Sequence, residues 1–490
     1  MLPHARINKC LSSGNVTSTQ IERPLRVLQV VHGFPPHDVA GVEVYTENLA
    51  RELATRHHVG VFYRRKDMSR APYSLTRSAR GEVSTYEVVR NVEEDDIVRD
   101  PSLFPLSYWD PDTEEPFQET LSDFSPDLVH FHHVIRLSAS LIPLTRRAGI
   151  PIVLTVHDHW FMCPRIHLLK TTGAICRGSA GGARCVECMV SYRDSSLLKV
   201  LAPVAELCLL PLGASMSGWP RSLNPVGRPL LALLARDQIL HQVFRAVSVA
   251  ISPSYHVRNM LLRNGFPTGK VRVIPNGIDH RPFQKPGHCQ AGILRLGYLG
   301  GLTWKKGLHV ALESLTLLGD LPVELIVFAN ITSNSDHDQQ LRELARKVRA
   351  RFAGAFEHNR IAEVLASLDA VVVPSLCYEN DPLVVQEAYL AGLPVVASRV
   401  GALREKVVHE RTGLTFTPGD PKDLARQIRR LVSEPGLLDR LRSKLPVPPT
   451  VEENAAAVEQ VYWDAIRSRR PPEGRSRSRL QTRDCPEVET

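Results

Sequence analysis

The sequence predicts an α/β protein of two doubly wound, parallel-sheet domains that face a central cleft. Three observations predict it. Short unbroken apolar runs alternate with amphipathic helical patterns, the alternation restarts after residue 290, and a loop rich in Pro, Gly and His separates the two series. Strands separated by helices pair in parallel, and unbroken apolar runs are what strands buried on both faces look like. The length of 490 residues suits two or three domains, and 43% apolar with 23% charged residues is ordinary for a globular protein.

In the first half, residues 25–31 read as a buried strand. The loop HGFPPHDVAGVE follows, then a helix on which Tyr45, Leu49 and Leu53 form one apolar stripe. Further strands are expected at 59–63, 127–131, 151–156 and 246–251. In the second half they are expected at 293–300, 323–329, 351–356, 370–373 and 394–397, with helices at 306–318, 338–350 and 358–368. A last helix at 451–468 is expected to return and pack on the first domain. The domains are therefore placed at 24–275 and 276–450, with an insertion at about 160–240 in the first. The N-terminal residues 1–23 and the basic tail 469–490 read as disordered.

Lys and Arg number 60 against 52 Asp and Glu. That excess suits an anionic ligand or a membrane surface, and it is too small and scattered for nucleic acid. No charge-free apolar run reaches the ~20 residues that span a bilayer. The N-terminal residues lack the apolar core of a signal peptide, so the expectation is a cytoplasmic protein, with peripheral contact at the inner membrane face as a further option.

Ligands of open α/β sheets bind beyond the carboxyl ends of the strands, so the chemistry is sought in the loops there. Gly41 precedes the first helix, where a glycine lets backbone amides approach a phosphate; an ordinary turn is the alternative. His157 ends the strand PIVLTV, a position for proton transfer or for hydrogen bonding to a hydroxyl. Lys305 and Lys306 sit beside glycines at a helix start and could neutralise a leaving diphosphate, or simply be solvated. In PSLCYENDPLVVQEAYLAGLPVVAS, Glu379 and Glu387 flank a helix start read with Asp381 as N-cap and Pro382 as first residue. Glu387 lies on a largely apolar helix, so a partner is expected for its carboxylate.

In order and spacing these segments resemble the retaining glycosyltransferases of family 4, which share the GT-B fold of two Rossmann-like domains. The similarity runs from about residue 25 to 466. Its most specific element is the E-x7-E motif, matched by Glu379 and Glu387. The glycine loop at Gly41, VHD ending at Asp158, SPS ending at Ser254, VIPNGID ending at Asp279, the Lys306-Gly307 pair and the Thr412-Gly413 pair support it. The resemblance implies an enzyme moving a sugar from a nucleotide-diphosphate donor to a glycan, lipid-linked or small-molecule acceptor, with no metal required for catalysis. It implies an acceptor-binding first domain and a donor-binding second. Gly41 would approach the donor phosphates, His157 the transferred sugar, Lys306 the diphosphate, Glu379 the sugar hydroxyls and Glu387 the ribose. The pairs Asp110/Asp112 and Asp336/Asp338 read as loop residues rather than manganese ligands. Two departures stand out. Gly301 replaces a phosphate-clamping arginine, for which Lys305 offers only a point charge. Asn380-Asp381 replaces Gly-Phe and sets a carboxylate near the phosphate position unless Asp381 caps its helix.

Cys163, Cys176, Cys185 and Cys188 lie within 26 residues, and the final CxxC is half of a zinc site. A structural zinc is therefore a candidate, with free thiols in a packed insertion as the alternative. The Leu-, Ala- and Pro-rich stretch 197–239 reads as a helical insertion, or else as an acceptor lid or membrane-resting surface. Competing with transfer are a sugar-nucleotide epimerase on the same fold and an inactive sugar-nucleotide-binding module.

Overall fold

The computed structural model describes residues 23–92, 106–170, 172–178, 185, 188, 227–283, 292–329 and 335–468. The expected disorder at 1–22 and 469–490 and most of the stretch 197–239 lie outside the described residues.

The first sheet consists of β1 (Arg26–Val31), β2 (His58–Arg65), β3 (Leu75–Arg80), β4 (Val83–Val89), β5 (Leu128–Phe131), β6 (Ile152–Thr155), β7 (Val249–Ser252) and β8 (Val271–Val273). Their order is β3-β4-β2-β1-β5-β6-β7-β8. All neighbours are parallel except the β3–β4 hairpin. The second sheet consists of β9 (Leu294–Leu299), β10 (Val323–Phe328), β11 (Ala350–Phe352), β12 (Ala370–Val373), β13 (Val395–Ser398) and β14 (Gly413–Phe416). It is parallel throughout, in the order β11-β10-β9-β12-β13-β14. Each sheet reverses direction of winding beside its first strand, between β1 and β5 and between β9 and β12. A crevice opens at such a switch point because the flanking loops turn to opposite faces.

Two expectations moved. The strand expected at 246–251 begins at Val249, because the helix Gly227–Ala246 runs up to Ala246. Asp110, Asp112, Asp336 and Asp338 are at helix starts, not in loops. Asp110 is buried and paired with Arg90 at 2.8 Å, which removes it as a metal ligand. The β3–β4 hairpin was not legible: β3 reads LTRSAR and is largely exposed, without an apolar run to signal it.

The C-terminal helix Val451–Arg467 packs on the first domain. A capping box between Thr450 and Glu453 starts it, and Ala455, Val458, Val461, Tyr462 and Ala465 fill one core with β1 and the helix Gly41–Ala54. Two buried hydrogen bonds fix its register. Tyr45 Oη donates to Asn454 Oδ1 at 3.0 Å, and Tyr462 Oη pairs with His130 Nδ1 at 2.7 Å. Tyr462→Phe keeps the ring but strands the buried imidazole nitrogen. It should lower stability by about 1–3 kcal/mol, measured by chemical denaturation; an unchanged midpoint would show that this bond contributes nothing net.

Candidate active site

The structure brings His157, Glu379, Lys305, Lys306 and Gly41 to the facing carboxyl edges of the two sheets, and Glu387 lies buried on the helix that follows Glu379. His157 follows β6, the lysines follow β9, and both glutamates follow β12. The loop after β12 crosses the cleft: Asn380 Nδ2 donates to the His157 carbonyl at 2.7 Å. Asn380, a departure from the family pattern, is thus one of the residues that tie the two halves of the site.

The lysine turn is built by glycine. Trp304–Lys306 form one 3-10 turn, closed by Gly307 at φ 74°. A Cβ at Gly307 would lie 1.9 Å from the Pro374 carbonyl oxygen, so only glycine lets this turn rest on the β12 loop. Lys306 Nζ then reaches Glu379 Oε1 at 2.7 Å, and Ser375 Oγ donates to the same oxygen at 2.7 Å. Burial works against the Lys306 charge, but the Glu379 carboxylate outweighs it and holds the ammonium protonated. Lys305 Nζ bonds instead to His167 Nε2 of the first domain. Gly401, at φ 54°, backs the Glu379 main chain, which accepts from Ala402 N at 2.9 Å.

His157 is held from both sides. Its Nε2 is 3.2 Å from His132 Nδ1, and its ring meets Tyr45 edge-on at 4.9 Å between centroids. Burial pushes its imidazole down to about 3, with the neighbouring His133 adding to the effect. His157 is therefore neutral at physiological pH, which favours hydrogen bonding to a hydroxyl over the proton transfer that its position alone also allowed. Gly41 opens the helix Gly41–Ala54, whose N-cap Ala40 has no side-chain cap. A Cβ there would meet only Leu383 Cδ1, at 3.8 Å, so nothing among the described residues demands a glycine.

Three expectations about the glutamate helix are corrected. Its N-cap is Pro382, not Asp381, and the helix is Leu383–Leu390. Asp381 instead accepts from Asn276 N at 2.9 Å and Gln386 Nε2 at 3.0 Å, and pairs with Lys406 at 2.8 Å. Its charge is thus spent inside the second domain and against the linker, not on the phosphate position. Glu387 has no close lysine or arginine among the described residues; the half-exposed His358 imidazole stands 3.6 Å away. Burial alone pushes the Glu387 carboxyl up to about 7.

Cys163, Cys176, Cys185 and Cys188 carry no disulfide. Cys163, Cys176 and Cys185 pack against the first-domain core. Burial pushes the Cys185 thiol up to about 12. Among the described residues, no three His, Cys, Asp or Glu side chains gather closely enough to hold a metal ion. Sequence reasoning missed His167 and the histidines of β5. The run HFHHV at a strand end was the available signal for the latter; a lone histidine inside an irregular insertion gave none for the former.

Two facing parallel-sheet domains with this cleft define the GT-B class. Known proteins agree. The sequence profile of Glycosyltransferase Family 4 matches residues 39–179 and that of Glycosyl transferases group 1 matches residues 294–434. The chain belongs to this glycosyltransferase family. A glycogen synthase of Mycobacterium tuberculosis is 34% identical over 219 residues, 42% of this chain and 51% of that protein. The chain thus spans about half the length of the curated relatives it matches first. Sucrose-phosphate synthase from Thermosynechococcus elongatus superposes with a TM-score of 0.62 at 19% identity, over 91% of this chain and all of that one. Anabaena HepE, solved with UDP and glucose, gives 0.57 at 15% identity, over 90% and 100%.

The Glu387 carboxyl yields a sign-definite prediction. Its ordinary value is 4.5 and its folded value about 7, so the folded state holds the proton more tightly. The resulting stabilisation is complete below about pH 4.5 and is lost as pH rises through 7. Glu387→Gln should match the wild type at pH 4.5 and exceed it at pH 8 by up to ~3 kcal/mol. Denaturant titrations at the two pH values decide it; a gap independent of pH would mean that something other than burial governs this carboxyl.

Proposed function

We propose that this protein transfers a sugar from a nucleoside-diphosphate donor to a hydroxyl of a glycan, a lipid-linked or a small-molecule acceptor, with retention at the anomeric carbon. The observation that carries this reading is the convergence of Glu379, Glu387 and the Lys305–Lys306 turn on one cleft opposite His157. The donor lies along the second domain. Glu387 accepts from the ribose hydroxyls, and Glu379 accepts from hydroxyls of the sugar while its ion pair keeps Lys306 beside the diphosphate.

In the transfer, the bond from the anomeric carbon to the diphosphate oxygen breaks and the electron pair leaves with the diphosphate. The acceptor oxygen forms its bond on the face that the diphosphate leaves, and its hydroxyl proton passes to the departing diphosphate oxygen. Negative charge builds on the departing phosphate, where the lysine turn and the first amides of the helix Leu308–Thr316 meet it. His157, neutral and fixed in place, hydrogen-bonds the sugar and aligns it rather than carrying a proton. The freedom at Gly41 supports a close approach of the first domain's backbone to the same phosphates. That HepE was solved with UDP and glucose makes UDP the first base to try.

The test is calorimetric titration of the full chain with UDP, GDP and ADP, with Glu387→Ala in parallel. One nucleotide should bind selectively, and the substitution should weaken it by about tenfold or more. A folded protein that binds none of the three has lost the donor site. Nucleotide release that requires no acceptor, from the donor of the base that binds, would instead favour the epimerase.

A further inference from the structure

Between Cys163 and Gly178, a short hairpin of the first domain reaches over to the second. Leu169 and Ile175 form its antiparallel bridge, Lys170 N donates to the Ala174 carbonyl at 2.8 Å, and Cys176 N to that of Leu168 at 2.7 Å. Leu168 anchors it in the first-domain core at 1% exposure. The hairpin touches the second domain at two points, its tip and its base. A Cβ at Gly173 would be 3.1 Å from the Trp304 ring, and His167 Nε2 bonds to Lys305 Nζ.

We propose that His167 is a positioning residue for Lys305: it carries an acceptor across the cleft that fixes where this ammonium meets the β-phosphate of a nucleoside diphosphate. The assignment rests on the donor-binding reading above. Three observations lead to it. The main chain of Lys305 is already fixed by the second domain, through Leu376 N donating to its carbonyl at 2.8 Å. The end of its flexible side chain meets the first. The His167 contact therefore couples the position of this cation to the closing of one domain on the other.

Next, His167 is flanked by Ile166 at φ 69° and Leu168 at φ 50°. A β-branched residue in the left-handed region is strained, and such strain persists where the surroundings over-determine it. The reversal buries Leu168 and leaves the intervening imidazole facing the lysines. Last, burial, followed by the nearby Lys305 charge, pushes the imidazole down to about 4. At neutral pH its Nε2 lone pair can accept from an ammonium, and a second cation would only repel it. Lys306 is committed to Glu379, so the two lysines do different work: Lys306 is set from within the donor domain, Lys305 from across the cleft.

The experiment uses the full chain with His167→Leu and His167→Gln, the second placing an amide oxygen near the position of Nε2. Brief acetylation with N-hydroxysuccinimide acetate, read by peptide mass spectrometry, reports Lys305 without any nucleotide. Its rate should rise several-fold in H167L and stay near wild type in H167Q. Titrations with UDP, GDP and ADP and their monophosphates read the consequence. H167L should lose about tenfold for the diphosphate that binds and nothing for its monophosphate, with H167Q restoring the difference. Unchanged acetylation in H167L overturns the contact. Equal losses for mono- and diphosphate overturn the positioning role and leave a structural one. If wild type binds no nucleotide, the donor reading fails, and the β-phosphate assignment falls with it even where acetylation upholds the contact.

Discussion

The chain passes between its two sheets twice, and the whole site depends on those two passages lying side by side. Ile278 N donates to the Pro449 carbonyl at 3.0 Å, and Ile278 pairs with Thr450 as a single parallel bridge. This close approach requires Gly277, where a Cβ would be 2.5 Å from the Thr450 carbonyl oxygen. Asn454 adds its side-chain amide to the Pro275 carbonyl at 2.7 Å, and Asn276 N is held by Asp381. The linker is thus tied at once to the C-terminal helix of the first domain and to the glutamate loop of the second. Any rotation of one sheet relative to the other must work through this knot of backbone contacts.

Given that constraint, the rest of the geometry follows from parallel pairing. A parallel sheet delivers every strand-to-helix loop to one edge, and two such sheets joined at this linker turn those edges toward each other. Residues far apart in sequence become neighbours without any specific attraction between them. Specific contacts then refine the arrangement. Asn380 reaches the His157 carbonyl, Glu405 accepts from Tyr255 N at 2.9 Å, and Tyr378 stands among His159 and His256.

Much of this was legible in the sequence because two-sided burial writes itself as unbroken apolar runs. AVVV at β12 and the core of β1 could hardly be anything else. The E-x7-E pair was legible for a related reason, since a glutamate on an apolar helix between two such runs needs an explanation. Three kinds of feature were not. The exposed β3 carries no hydrophobic signal. The fate of Asp381 depended on Lys406 and Asn276, both distant in sequence, so local capping preference gave the wrong partner. His167 lies in a segment whose backbone obeys no regular period. Several residues of the family motifs also prove structural. Gly413 is closed in by the Val395 carbonyl oxygen, which would stand 2.0 Å from a Cβ at that position, and Thr412 ties its turn through Val408 N at 3.0 Å.

Burial acts on the two sides of the cleft in opposite chemical directions with one electrostatic result. It pushes the His157 imidazole down and the Glu387 carboxyl up, and each change favours the uncharged form. The two other carboxyl groups of this loop are paired with lysines: Glu379 with Lys306 and Asp381 with Lys406. The groups that would face a sugar and a ribose are therefore neutral or compensated. Those that would lie beside the phosphates of the proposed donor are a cationic turn and a helix N-terminus. In the proposed reaction an anionic leaving group would gain most at that end, and the sugar would be held chiefly by hydrogen bonds whose strength changes little as charge moves. Under the proposed function, a site arranged in this way would stabilise departure of the diphosphate more than the bound donor, which is the condition for lowering the barrier rather than merely tightening binding.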